Sequence, residues 1–141
     1  MLRKGFSLIE IMIVIIILGL IASLVMPNLI GQSDDAKRKL VCIQMESLMN
    51  SLKTFKVQNG LYPTTAEGLN ALITNPDPEK YTSYPNGGFL DGGKQPVDPW
   101  KNRYIYLNDN NVIELISLGA DRQEGGSDEA ADIRYSTCNN R

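Results

Sequence analysis

The sequence predicts an α+β protein in which one long N-terminal helix, half transmembrane and half amphipathic, packs on a small antiparallel β-sheet. Three observations carry that expectation. Residues from Ser7 to Ile30 form an apolar run broken by one carboxylate, Glu10. A stripe at Val41, Met45, Leu48, Leu52 and Phe55 continues the helical period beyond it. Two strand-like runs, Tyr104–Leu107 and Val112–Ser117, flank a polar Asn108-Asp109-Asn110-Asn111 turn.

The apolar run has the length of a bilayer-spanning helix, roughly 20 residues. Arg3 and Lys4 precede it and would stay cytoplasmic, which sends everything after Ile30 to the far side. A cleaved secretory signal peptide is the alternative. Its small-residue site would have to be found in Ala22-Ser23-Leu24-Val25-Met26-Pro27, a weak match, and the helical pattern continues beyond it. A carboxylate costs roughly 2.5–3.5 kcal/mol at the bilayer centre, so Glu10 calls for a neutralising partner; the other reading is an interfacial acid that snorkels to water.

Pro27 and Gly31 should bend the helix or melt it locally, or leave a static kink. Asn59-Gly60, with Pro63 just beyond, gives the C-terminal stop. A helix from Phe6 to Lys56 would be roughly 75 Å long. Thr64-Thr65-Ala66-Glu67 is a capping-box pattern opening a short helix through about Thr74. Pro76, Pro78, Pro85 and paired glycines predict a long irregular connection, and Ile133-Arg134-Tyr135 a third short strand.

Composition excludes several function classes. The 141 residues, less the apolar run, leave roughly 110 for one modest domain. Formal net charge is −2; removing Arg3 and Lys4 from the 14 basic residues leaves 12 against 16 acidic, or −4. With no basic patch interleaved with aromatics, nucleic-acid binding is not expected. The absence of histidine removes Ser-His-Asp and Cys-His nucleophiles and histidine-based zinc sites. The pairs Gly87-Gly88, Gly92-Gly93 and Gly125-Gly126 lack the Lys-Ser/Thr of a phosphate loop and read as turns. An enzyme is not expected.

Asp121, Glu124, Asp128, Glu129 and Asp132 crowd into twelve residues with only Arg122 to offset them. Such a loop is either solvated or holds a cation. Calcium suits the second case, because it takes six to eight oxygens in flexible geometry. Trp100, the only tryptophan, reads as a core aromatic pinning its loop to the helix or as a contact between subunits. Cys42 and Cys138 form no metal-spacing motif; on the oxidising far side of the membrane they allow one intramolecular disulfide, the alternative being a buried free Cys42 beside an exposed Cys138.

Arg3-Lys4-Gly5-Phe6-Ser7-Leu8-Ile9-Glu10 resembles the leader and processing site of the type IV pilin and type II secretion pseudopilin superfamily. Further along, Tyr62-Pro63-Thr64-Thr65-Ala66-Glu67-Gly68-Leu69, Asp98-Pro99-Trp100-Lys101-Asn102-Arg103-Tyr104, Ser117-Leu118-Gly119-Ala120-Asp121, Gly125-Gly126 and Ala131-Asp132-Ile133 are similar to segments of the type II secretion major pseudopilins. The departures are the two cysteines, and Arg122-Gln123 where Gly-x is common.

The resemblance implies a pilin-like fold and cleavage between Gly5 and Phe6 by a prepilin peptidase, with N-methylation of Phe6. It also implies pairing of the new Phe6 amino group with Glu10, within or between subunits, and loosening of the helix around Pro27 when subunits leave the bilayer. The division it suggests is a leader at 1–5, a transmembrane segment at 6–30, an amphipathic continuation at 31–59 and a periplasmic globular region at 60–141. For calcium it implies the Leu118 carbonyl, the Asp121 and Asp128 side chains and an oxygen of Ser127, with Asp132 as a further ligand or a partner of one; Glu124 and Glu129 would be solvated. The implied function is that of the major subunit of a periplasmic pseudopilus, single-pass in the bacterial inner membrane before assembly. It would stack as a helical homo-oligomer with minor pseudopilins on an ATPase-driven inner-membrane platform and help drive folded proteins through an outer-membrane secretin. The alternatives are a type IV pilin or minor pseudopilin, or a monomeric membrane-tethered calcium-dependent binding module.

Overall fold

The structure, a computed structural model, describes residues 5–138, without the side chains of residues 25–32 and 129. Arg3 and Lys4 of the expected leader lie outside the described residues. The elements are α1 (Leu8–Asn59), β1 (Ile105–Asp109), β2 (Val112–Ser117), β3 (Ile133–Arg134) and α2 (Tyr135–Cys138), with three short 3-10 turns between them. Two compact units divide the chain, residues 1–36 and 37–141.

In the first unit, the backbone N–H groups of Glu10 and Ile11 donate to the Ser7 carbonyl and open α1. Every described side chain from Phe6 to Leu24 is exposed, Leu8 at 81% and Leu24 at 76% among them. A helix that is apolar all round has no water-facing side, so it needs an apolar surrounding. Among the described residues no helix is long and apolar enough to cross a membrane. The described side chains of the run stop at Leu24, whereas the sequence carries it on to Ile30. The helix assignment is unbroken through Pro27 and Gly31, so the expected melted stretch is not part of this structure. A proline removes only one N–H from the ladder, which bonds on either side can carry.

The second unit is organised by the other half of α1. Val41, Met45, Leu48, Leu52 and Phe55 are fully buried, and Met49 nearly so. Burying each large side chain contributes about 1.5–3 kcal/mol. They pack with Leu69, Leu72, Tyr81, Tyr104, Tyr106, Leu115 and Ile133 in one core. The Phe55 ring meets Tyr81 and Phe89 at centroid distances of 4.9 and 5.0 Å. The three strands lie in the order β1-β2-β3, all antiparallel, with Ile105 opposite Ile116 and Ser117 opposite Ile133.

Three local expectations are corrected. The β1–β2 turn is two residues, Asn110-Asn111, because both take positive φ (50° and 68°), the conformation a tight hairpin requires. Asn108 and Asp109 pair as strand. The helix expected from the capping box through Thr74 is instead one turn followed by a 3-10 segment, Gly68–Leu72. Gly68 sits at φ 61°, which an α-helix cannot continue through. The box itself forms: the Thr64 N–H donates to Glu67 Oε2 (2.7 Å) and the Glu67 N–H to Thr64 Oγ1 (3.2 Å). Finally, β3 ends at Arg134, and Tyr135 begins α2.

Candidate functional site

The N-terminal motif is open. Gly5 has free space where a Cβ would stand, Phe6 is 79% exposed, and Glu10 is exposed in the first turn of α1. Among the described residues, no contact demands glycine at position 5. The Phe6 nitrogen is a backbone amide here, so the amino group expected to pair with Glu10 is not part of this structure.

The acidic loop leaves β2 at Ser117 and returns at Ile133. Leu118 is half-buried, while Asp121, Glu124, Ser127 and Asp128 are exposed. Asp121 Oδ1 accepts the Gln123 N–H at 3.1 Å, an aspartate turn. Asp132 and Gly125 bind reciprocally: the Gly125 N–H donates to Asp132 Oδ2 at 3.0 Å, and the Asp132 N–H to the Gly125 carbonyl at 3.1 Å. Asp132 Oδ1 is buried without a hydrogen-bond partner among the described residues. At Gly126 (φ 82°) a Cβ would stand 2.4 Å from the Ala130 carbonyl oxygen and 3.2 Å from Asp121 Oδ2, so only glycine fits.

The fold therefore draws Asp121 Oδ2, the Ala130 carbonyl and Gly126 together, with Asp132 holding the adjoining turn. Asp128 opens the following 3-10 turn at φ 52°, with Ser127 extended just before it. Among the described residues no three Asp, Glu, Cys or His side chains gather as a metal group. The donors present are nonetheless oxygens only, one of them buried and unsatisfied, which fits calcium's mixed demand for carboxylate and carbonyl. The Ala130 carbonyl is not among the ligands the resemblance implies; its approach to Gly126 follows from the fold of the loop.

On the opposite side of the loop, Asp98 is 2% exposed and accepts four hydrogen bonds. Its Oδ1 takes the N–H groups of Trp100 (3.0 Å) and Asn102 (2.7 Å). Its Oδ2 takes Asn102 Nδ2 (3.2 Å) and Ser117 Oγ (2.7 Å). Trp100 is half-buried against the core, with Lys37 Nζ 5.9 Å from its ring centroid and its carbonyl accepting from Arg122 Nη2 at 3.2 Å. Sequence reasoning notes this Asp-Pro-Trp-Lys-Asn segment but gives Asp98 and Asn102 no role; an aspartate before proline with asparagine four residues on is the signal of an aspartate-anchored turn.

Cys42 and Cys138 are joined, with an S–S distance of 2.07 Å and Cα atoms 5.6 Å apart. Nearby, Arg38 Nη1 donates to the Ala131 carbonyl and the Tyr135 hydroxyl to Glu46 Oε2, so the stretch from Ala131 to Cys138 is tied to α1 at three points.

A long helix with an apolar, exposed first half, its second half wrapped by a small antiparallel sheet, defines a pilin-like subunit. Comparison with known proteins carries the assignment further. A family model described as prokaryotic N-terminal methylation motif matches residues 1–26, and one described as type II secretion system protein G matches residues 28–136. The type II secretion system core protein G of Vibrio cholerae serotype O1 is 43% identical over 133 residues, spanning 93% of this chain and 90% of that protein. That of Pseudomonas aeruginosa is 42% identical over 137 residues, 93% of each. The crystal structure of the major pseudopilin from the type 2 secretion system of enterohaemorrhagic Escherichia coli aligns with a TM-score of 0.67 at 31% identity, over 79% of this chain and 96% of that one. The chain belongs to the type II secretion system protein G family, the major pseudopilins of that system.

Proposed function

We propose that the chain is made as a single-pass inner-membrane precursor, cut between Gly5 and Phe6 by a prepilin peptidase and methylated at Phe6. It then stacks with copies of itself into the periplasmic pseudopilus, on an inner-membrane platform and together with minor pseudopilins. The observation that carries this reading is the exposed apolar face of α1 from Phe6 to Leu24, interrupted by one acid at Glu10. Lipid suits the apolar side chains, and the Phe6 ammonium produced by cleavage suits Glu10, because an acid in hydrocarbon is tolerated when paired. The unconstrained Gly5 supports recognition by another molecule, since nothing in the fold requires it.

The acidic loop takes calcium through the Leu118 carbonyl, Asp121, Asp128 and Ser127, with Asp132 and the Ala130 carbonyl completing or bracing the set. The unsatisfied Asp132 Oδ1 and the crowded Gly126 support this reading. The metal would neutralise the loop's carboxylates and order a segment with little apolar content.

Mass spectrometry of the assembled protein, beside a Glu10→Ala variant, tests the processing and assembly reading. The expected results are a chain starting at N-methylated Phe6 and a variant that inserts in membrane but forms no fibre. A Met1 terminus, or normal fibres from Glu10→Ala, overturns it.

A further inference from the structure

Asp98 is a buried carboxylate that no feature of assembly uses. A carboxylate offers about four acceptor positions, and all four are filled, so Asp98 is not itself a ligand for a cation. Its two side-chain partners, Ser117 and Asn102, each turn toward Gly119. Ser117 Oγ accepts the Gly119 N–H at 3.3 Å, and Asn102 Nδ2 donates to the Gly119 carbonyl at 2.7 Å.

Gly119 is buried at φ 67° and carries the peptide planes that lead into the acidic loop. A trans peptide is planar, so fixing the Gly119 N–H fixes the direction of the Leu118 carbonyl that shares its plane. Fixing the Gly119 carbonyl sets the next plane and, through Ala120, the approach of Asp121. The two oxygens at the upstream edge of the loop are thus aimed by a network rooted in a different segment of the chain.

We propose that Asp98, acting through Ser117 and Asn102, is the positioning residue of the acidic loop and sets its affinity for calcium. The inference rests on the calcium reading above. Partners of this kind, one bond removed from a ligand, typically change metal affinity by roughly 10–100-fold when removed.

The test is calcium titration by calorimetry on the full chain in detergent, with thermal melting in excess calcium and in excess chelator, for wild type, Asn102→Ala and Ser117→Ala. Ser117→Ala leaves Asp98 three of its four donors, so it carries the test should Asn102→Ala not fold. The expected result is a calcium affinity lowered roughly tenfold or more, with a shrunken calcium-induced rise in melting temperature. A purely structural residue would lower both melting temperatures equally and leave the increment and the affinity unchanged; that outcome overturns this inference alone. A wild-type chain that neither binds calcium nor melts higher with it overturns the calcium reading and this inference together.

Discussion

The segment from Thr64 to Tyr81 and the segment from Leu118 to Asp132 are both short, turn-rich and acidic, yet their carboxylates meet opposite surroundings. Glu67 receives the Thr64 N–H, the Tyr81 hydroxyl at 2.7 Å and Lys80 Nζ at 3.0 Å. Asp132 Oδ1 is buried and, among the described residues, receives no hydrogen bond. The first segment closes its electrostatics with its own donors, whereas the second leaves one buried carboxylate oxygen unmatched among the described residues. Acids of equal chemistry thus become a cap in one place and carry an unmatched buried oxygen in the other, and the difference lies in whether Lys and Tyr are within reach.

The largest expected effect tests what holds the second segment besides charge. The Cys42–Cys138 bridge spans 96 residues, and closing a loop of that size stabilises by on the order of 4–5 kcal/mol in the chain-entropy treatment. Cys42→Ser with Cys138→Ser should lower the denaturant midpoint accordingly and make the acidic segment a preferred protease site, while the capping-box segment stays protected until global unfolding. Quantitative alkylation of both thiols in the native wild type without reductant would show that the bridge does not form.

Next comes the metal. Calcium at 100 to 1,000 times its dissociation constant stabilises by about 2.7–4.1 kcal/mol. Chelation should therefore lower the melting temperature and expose residues 118–132 to protease, and Asp121→Ala should reproduce the chelated state. Magnesium should substitute poorly, because it demands tighter octahedral geometry. Equal melting in calcium and chelator would make the loop merely solvated.

Glu67 supplies the contrasting, metal-independent case. Partial burial pushes its carboxyl up, but hydrogen bonds from the Thr64 backbone, Tyr81, Lys80 and Thr64 Oγ1 outweigh that and hold it at about 2. Because the folded value lies below the unfolded one of 4.5, its stabilisation is complete above about pH 4.5 and is lost as pH falls through about 2. Glu67→Gln should cost about 1–2 kcal/mol at neutral pH, less as the medium turns acid, and equally with calcium or chelator. A loss that varies with calcium would break the comparison.

What the sequence makes legible follows from the range of the forces involved. The stripe from Val41 to Phe55 and the capping box are local periodicities, and both appear where expected. The hairpin reads two residues too wide because Asn108 looks like a turn residue, yet Thr65 and Pro63, far away in sequence, hold it in the strand. In the acidic loop Asp121 and Asp132 stand out by composition. The Ala130 carbonyl and the Asp98–Ser117–Asn102 network do not, since one is backbone and the other depends on pairs up to 19 residues apart. Arg122 sits at φ 60°, the left-handed conformation glycine adopts without strain.

That residue gives the smallest effect. Arg122 is the one basic side chain among the loop's acids, and it is exposed, its guanidinium donating to the Trp100 carbonyl. A cation beside a divalent site repels the metal, but in a water-like dielectric a unit charge several ångströms away contributes about 1 kcal/mol or less. Arg122→Gly removes that repulsion together with the backbone strain, and it forfeits one exposed hydrogen bond of small value. Calcium affinity should tighten by up to about fivefold at low ionic strength, and the gain should fade at about 1 M salt, where the screening length falls to about 3 Å. Stability in excess chelator should move by no more than about 1 kcal/mol, because strain relief and lost charge compensation oppose each other. If affinity stays the same at low salt, the loop's charge does not reach its metal, and the contrast with the self-neutralised Glu67 must rest on geometry alone.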